Sequence, residues 1–242
     1  MAVGEQPLAD RLRVGERDLA PEEARRERGH GGFESLDARR ARSAVARSGQ
    51  RRGGSPVSWL RSEGRVPRLC GERVLLREWM PDDLAPFAEL NADPRVMRYY
   101  PSPLTRAQSD AFVLEQVVPE FAERGFGRWA VEVPGLAPFI GYVGLAVPAF
   151  EADFTPCIEI GWRLAFAYWG RGYATEAAQA ALEFGFAEAD LDEVVSFTVP
   201  ENRRSVAVMS RLGMSYAGEF DHPRLPPGHA LRRHVLYRLS RP

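Results

Sequence analysis

The stretch Tyr168–Glu176, YWGRGYATE, sets two glycines around an arginine where an extended segment gives way to a run with helical spacing. A helix N-terminus leaves its first N–H groups unpaired and carries partial positive charge. Glycine in the preceding turn lets that backbone approach a ligand with no Cβ in the way. Gly170 and Gly172 thus make an anion cradle suited to phosphate or pyrophosphate, with Arg171 as a cation at its mouth. The same residues would also serve as two turn glycines beside a surface arginine. Two nucleotide signatures do not fit. A P-loop needs a lysine and the chain has none, while Thr175 stands where a dinucleotide fingerprint needs its third glycine.

The elements that must hold this cradle are legible as periodicity. ERVLLREW (72–79) reads as a strand, followed by Pro81-Asp82-Asp83, a helix-start signal. Helical pieces are expected over 82–92 and 105–124. RWAVEV (128–133), FIGYVGLAV (139–147) and IEIGWRLAF (158–166) read as three successive strands, with a Pro-Gly turn between the first two. Residues 172–189 carry Ala174, Ala177, Ala178, Ala181, Leu182 and Gly185 on one face, a helix with a small-residue side that can lie close to a sheet. EVVSFTVP (193–200) is a further strand, Asn202 an N-cap for a helix over 203–212, and Gly213 its left-handed end. Strands near 215–220 and 233–239 complete an α/β domain with a mixed sheet.

Of the 242 residues 45% are hydrophobic and 27% charged, enough to bury a core. The net charge of −1 calls for neither nucleic acid nor an anionic membrane, and no apolar run reaches the ~18 residues of a membrane span. Cys70 and Cys157 are read as free thiols of a cytoplasmic protein, and no Cys/His cluster has zinc spacing, so no metal is expected. Residues 1–68 carry 15 arginines against 10 acids and no sustained period; they read as a disordered Arg-rich leader, with a nucleic-acid-binding arm as the alternative. The domain is expected over 69–242. A homodimer stays open.

The run IEIGWRLAFAYWGRGYATEAAQAALEFGF, followed by NRRSVAVMSRLGM, resembles the Gcn5-related N-acetyltransferase (GNAT) superfamily, in the branch of the ribosomal-protein N-terminal (alanine/serine) acetyltransferases. The resemblance covers about 70–242, with its specific part at 158–214. Gly172 and Ala174 match the family's phosphate loop, while Trp169 stands at its Gln/Arg position. The resemblance implies a mixed, mostly antiparallel sheet with two splayed parallel strands, and acetyl-CoA bound in the splay. Trp162, Arg163, Leu164 and Ala165 would pair by backbone with the pantetheine arm. Backbone N–H groups of Gly170, Arg171, Gly172, Tyr173, Ala174 and Thr175 would hold the pyrophosphate, Asn202 would bond the pantetheine, and Ser205 would lie near the thioester sulfur.

The implied reaction is direct acetyl transfer to a neutral primary amine. Removing the proton at pH 7 costs about 1 kcal/mol for an α-amine and about 4.6 kcal/mol for a lysine-like one, so a weak base suffices only for the first. Glu159, on the strand leading to the cradle, is the candidate relay; an ordinary strand carboxylate paired with Arg163 is the alternative. Met209 stands where many members carry a tyrosine acid, which leaves Ser205 as the candidate proton donor, or as a helix-cap serine only. His222, His229 and His234, with Tyr99 and Tyr100, are candidates to line an acceptor site. A non-catalytic acyl-CoA-binding module competes with the enzyme reading, as do polyamine and aminoglycoside acceptors with a peptide N-terminus.

Overall fold

The computed structural model describes residues 66–242; the expectation for the leader lies outside them. Two short strands, β1 (Leu69–Cys70) and β2 (Leu75–Arg77), open the fold, and a 3-10 turn at Pro81–Asp83 leads into α1 (Leu84–Ala92). α2 (Arg106–Phe112) continues through a π turn at Val113–Val117 into α3 (Val118–Arg124). Pro119 explains the π turn, because it has no N–H to give and its ring crowds the carbonyl one turn back. Then come β3 (Arg128–Val133), β4 (Ala137–Ala146), β5 (Glu159–Leu164), α4 (Tyr173–Ala187), β6 (Glu193–Thr198), α5 (Arg203–Arg211), β7 (Ser215–Asp221) and β8 (Arg233–Ser240).

The strands form one eight-stranded sheet in the order β1-β2-β3-β4-β5-β6-β8-β7, antiparallel except for β5 beside β6. The alternation read from the sequence therefore matches β3 to β8 within a residue or two. At the first edge the expected 72–79 strand shrinks to 75–77, because the backbone N–H groups of Arg73 and Val74 turn to the Glu176 carboxylate instead of a neighbouring strand. The start of the domain reaches further back than 69: Val66 packs on the core and the Pro67 carbonyl accepts from the Trp129 indole at 2.8 Å.

Helices cover both faces. α1 and α2 press Phe87 and Phe112 onto Tyr142 of β4, each with ring centroids 5.9 Å apart. On the other face α4 lays its small side against the sheet, with Ala177, Ala178 and Ala181 fully buried. At Gly185 an added Cβ would come within 3.1 Å of Leu145 Cδ1, so the helix sits as near the sheet as its side chains allow. That close seat fixes where the N-terminus of α4 points.

Candidate active site

β5 and β6 are paired at one place only. Glu159 faces Val195, and the Val195 N–H bonds the Ile158 carbonyl at 2.8 Å. Beyond that bridge β5 keeps pairing with β4 through Leu164, while β6 turns to β8, so the two parallel strands part like a wedge. The Ala165 N–H bonds the Ile140 carbonyl on the β4 side. By alternation the N–H and C=O of Trp162 and the N–H of Leu164 point into the wedge. This is an exposed strand edge, ready to take a strand-like partner.

The cradle closes the end of that edge. Gly170 and Gly172 both adopt left-handed φ, +73° and +85°, and Gly172 is the N-cap of α4 with no side chain capping the helix end. The first helical bond runs from the Glu176 N–H to the Gly172 carbonyl, so the N–H groups of Tyr173, Ala174 and Thr175 precede any intrahelical partner. A Cβ on Gly172 would lie 3.2 Å from Arg73 Nη2, and one on Gly170 would stand in the open mouth. The residues present fit a pyrophosphate. The loop is pinned from behind by two residues whose role sequence reasoning missed. Trp169, at the family's Gln/Arg position, donates its indole N–H to the Leu164 carbonyl at 2.8 Å. Glu176 accepts from Arg73 Nε at 2.9 Å, while Arg73 Nη1 donates to the Arg171 carbonyl at 3.1 Å. The T-E pair in YWGRGYATE carried that signal, since a carboxylate in a first helical turn often has a structural partner.

Glu159, Gly161 and Arg163 alternate onto the sheet face that α1 and α2 cover. Gly161 faces Gly144 across the ladder. A Cβ there would meet nothing closer than Glu159 Oε1 at 3.7 Å, so these residues leave a bare floor. Glu159 does not pair with Arg163. Half-buried, its carboxyl is pushed up to about 7 by desolvation, against the pull of Arg128 and with a further push from Glu120. Glu120 on α3 is buried and also pushed up to about 7; its Oε1 accepts from Arg128 Nη1 at 2.6 Å and its Oε2 has no partner. Arg163 turns the other way, donating from Nη1 to Asn91 Oδ1 at 2.6 Å beneath the Tyr100 ring.

At the start of α5 the Asn202 side chain accepts from the Ser205 N–H at 3.4 Å and donates to Thr198 Oγ1 at 3.0 Å, the N-cap read from the sequence. Ser205 is therefore the third helical residue, half-buried, beside the wedge. Met209, a turn further on, is 1% exposed and belongs to the core rather than to the cleft. Tyr99 crosses the mouth to donate to the Glu201 carbonyl at 3.0 Å. His222 and His234 join Phe150, Phe154, Phe197 and Phe220 in one ring cluster, and burial pushes His222 down to about 4, so it is neutral at pH 7. His229 stands apart in the 222–232 loop, its Nδ1 accepting from the Leu231 N–H.

The splayed parallel pair sets an open strand edge in line with a glycine-turned helix start, an arrangement suited to an extended ligand with a phosphate end. The comparisons name the family it belongs to. Residues 73–215 match the family model of the acetyltransferase (GNAT) domain, and the chain belongs to that family; it is an N-acetyltransferase. An uncharacterized protein of Bacillus subtilis, YkkB, is 32% identical over 153 residues, 62% of this chain and 86% of its own. A GNAT acetyltransferase structure from Bacillus anthracis superposes with a TM-score of 0.60 at 27% identity, covering 72% of this chain and 99% of that one. The ribosomal-protein-S5-alanine acetyltransferase of Vibrio fischeri shares the fold, with a TM-score of 0.59 at 19% identity over 72% of this chain and 97% of that one.

Proposed function

We propose that this chain moves the acetyl group of acetyl-CoA directly to a primary amine held over the bare floor at Gly161. The observation that carries the reading is the single bridge between β5 and β6, which opens a strand edge in line with the uncapped, glycine-turned start of α4. Trp162 and Leu164 supply that edge to the pantetheine arm, whereas Arg163 and Ala165, expected to share in it, turn their backbone groups to β4. The N–H groups from Gly170 to Thr175 supply the anion cradle. Asn202 has one amide hydrogen and one lone pair left for the arm. Bound there, the thioester supplies an activated acetyl carbon and a thiolate leaving group. A carboxyl near 7 is half ionised at neutral pH, so Glu159 takes the proton of an ammonium whose own pKa is not far above. The amine nitrogen bonds the acetyl carbon as the C–S bond breaks, the extra proton on nitrogen leaves to give the amide and the CoA thiol, and Ser205 Oγ hydrogen-bonds the departing sulfur. A weak carboxylate base favours α-type amines over lysine-like ones. Cys70 and Cys157 are both free, which supports a reducing compartment, the cytoplasm.

The test is thiol release from acetyl-CoA with peptide, polyamine, aminoglycoside and amino-acid acceptors. Release above the acceptor-free rate with at least one class is expected. A folded protein that binds CoA but releases thiol with none would contradict the reading.

A further inference from the structure

Arg163 is a cation with no counterion. It is 8% exposed and takes part in no ion pair among the described residues. Its Nη1 donates to the neutral Asn91, its Nε is buried with no acceptor, and its guanidinium lies 4.1 Å from the Tyr100 ring centroid and 5.6 Å from that of Tyr142. Two other cations of this face, Arg128 and Arg77, have carboxylates, in Glu120 and in Asp83 with Glu132. The Arg128 and Arg163 guanidinium groups both lie near the Phe112 ring, 5.2 and 5.7 Å from its centroid. Among the described residues the partners of Arg163 are neutral: besides Asn91, the Tyr100 side chain hydrogen-bonds it, and no Asp or Glu does. A buried charge left without a partner is strongly unfavourable, and guanidinium is the side chain best shaped to take a carboxylate in a fork.

We propose that Arg163 holds the carboxylate of the acceptor, so that the amine acetylated here belongs to a free amino acid. The inference rests on the reading that the acceptor lies over Gly161. Along an extended strand Gly161 stands about 6.6 Å from both Glu159 and Arg163, on the same face. A ligand over that floor presents its ammonium to the Glu159 end and its carboxylate to the Arg163 end. Tyr100, Phe112 and Tyr142 form apolar walls between α1, α2 and the sheet. A polyamine would bring further positive charge to an uncompensated cation and is disfavoured by the same geometry.

The experiment is calorimetric titration of the CoA-saturated protein with alanine, serine, leucine and phenylalanine, each against its decarboxylated amine. At least one amino acid is expected to bind about tenfold or more tighter than its amine, as a charge-assisted bidentate contact implies. Arg163→Met, shown by circular dichroism to be folded, is expected to bring that ratio close to one. Equal or tighter binding of every amine, no binding by any amino acid, or a ratio unchanged in a folded Arg163→Met variant would overturn the proposal. Thiol release with the same compounds separates it from the reading it rests on. Turnover that prefers the decarboxylated amines keeps the transferase and removes the anchor. Tighter binding of the amino acids without any thiol release keeps the anchor and removes the transfer.

Discussion

Glu159 sits at the one point where the parting strands touch, and as the proposed base it would make the reaction pH-dependent. A carboxyl pushed up to about 7 is an effective base only above that value, so kcat/KM should rise through pH 7 and then level off. Glu159→Gln removes the titrating oxygen without changing the shape of the side chain. It is expected to lower kcat/KM by about 100-fold or more and to erase that rising limb. A variant keeping both the rate and the limb would remove Glu159 from the chemistry. Ser205 is tested by the split between rate and binding. Ser205→Ala should lower kcat by about 10-fold with CoA affinity little changed, because a contact made mainly as sulfur departs affects rate rather than binding. Parent turnover would leave Ser205 as the capped third residue of α5 and nothing more. The cradle glycines were legible because turn chemistry is local. The pairings of Arg163 with Asn91 and Tyr100, and of Glu120 with Arg128, were not, since the partners come from separated segments and a sequence does not show which side chains face one another.

Among the elements, α3 carries a cost that the chemistry exposes. Glu120 is buried by its own helix against β3, with Arg124 and Glu123 beside it and Arg128 and Glu159 facing it from the sheet, and desolvation outweighs the arginines. Its folded carboxyl holds a proton more tightly than in the unfolded chain, so its stabilising protonation is complete below the unfolded value and is lost as pH rises through about 7. The raised affinity for the proton amounts to roughly 3 kcal/mol. Glu120→Gln should therefore melt several degrees higher than the parent at pH 8 and close to it at pH 5, in paired thermal melts. A stability gap that widens toward acid would contradict this account of the Glu120–Arg128 pair. At the same scale, period-2 alternation revealed β3, β4 and β5, whereas β2 escaped its expected length because Glu176, about a hundred residues away, competes for its backbone.

For the molecule as a whole, the α/β class and the sequence of elements were readable from patterning, and the motif at 158–214 carried the family. Strand order was not readable. Nothing local places β8 between β6 and β7, or limits β5 and β6 to one bridge, because those pairings are set by packing among distant segments. Yet the single bridge is what leaves an open strand edge inside the sheet. The central claim is that the opened edge and the start of α4 together hold acetyl-CoA. Gly172 tests it most directly, being the left-handed N-cap where a side chain would meet Arg73. Calorimetry of CoA with the parent and with Gly172→Val, each shown by circular dichroism to be folded, should give an affinity loss of about 2 kcal/mol or more, roughly 30-fold, through misplaced N–H contacts to the pyrophosphate. Unchanged affinity in the folded variant would contradict the claim.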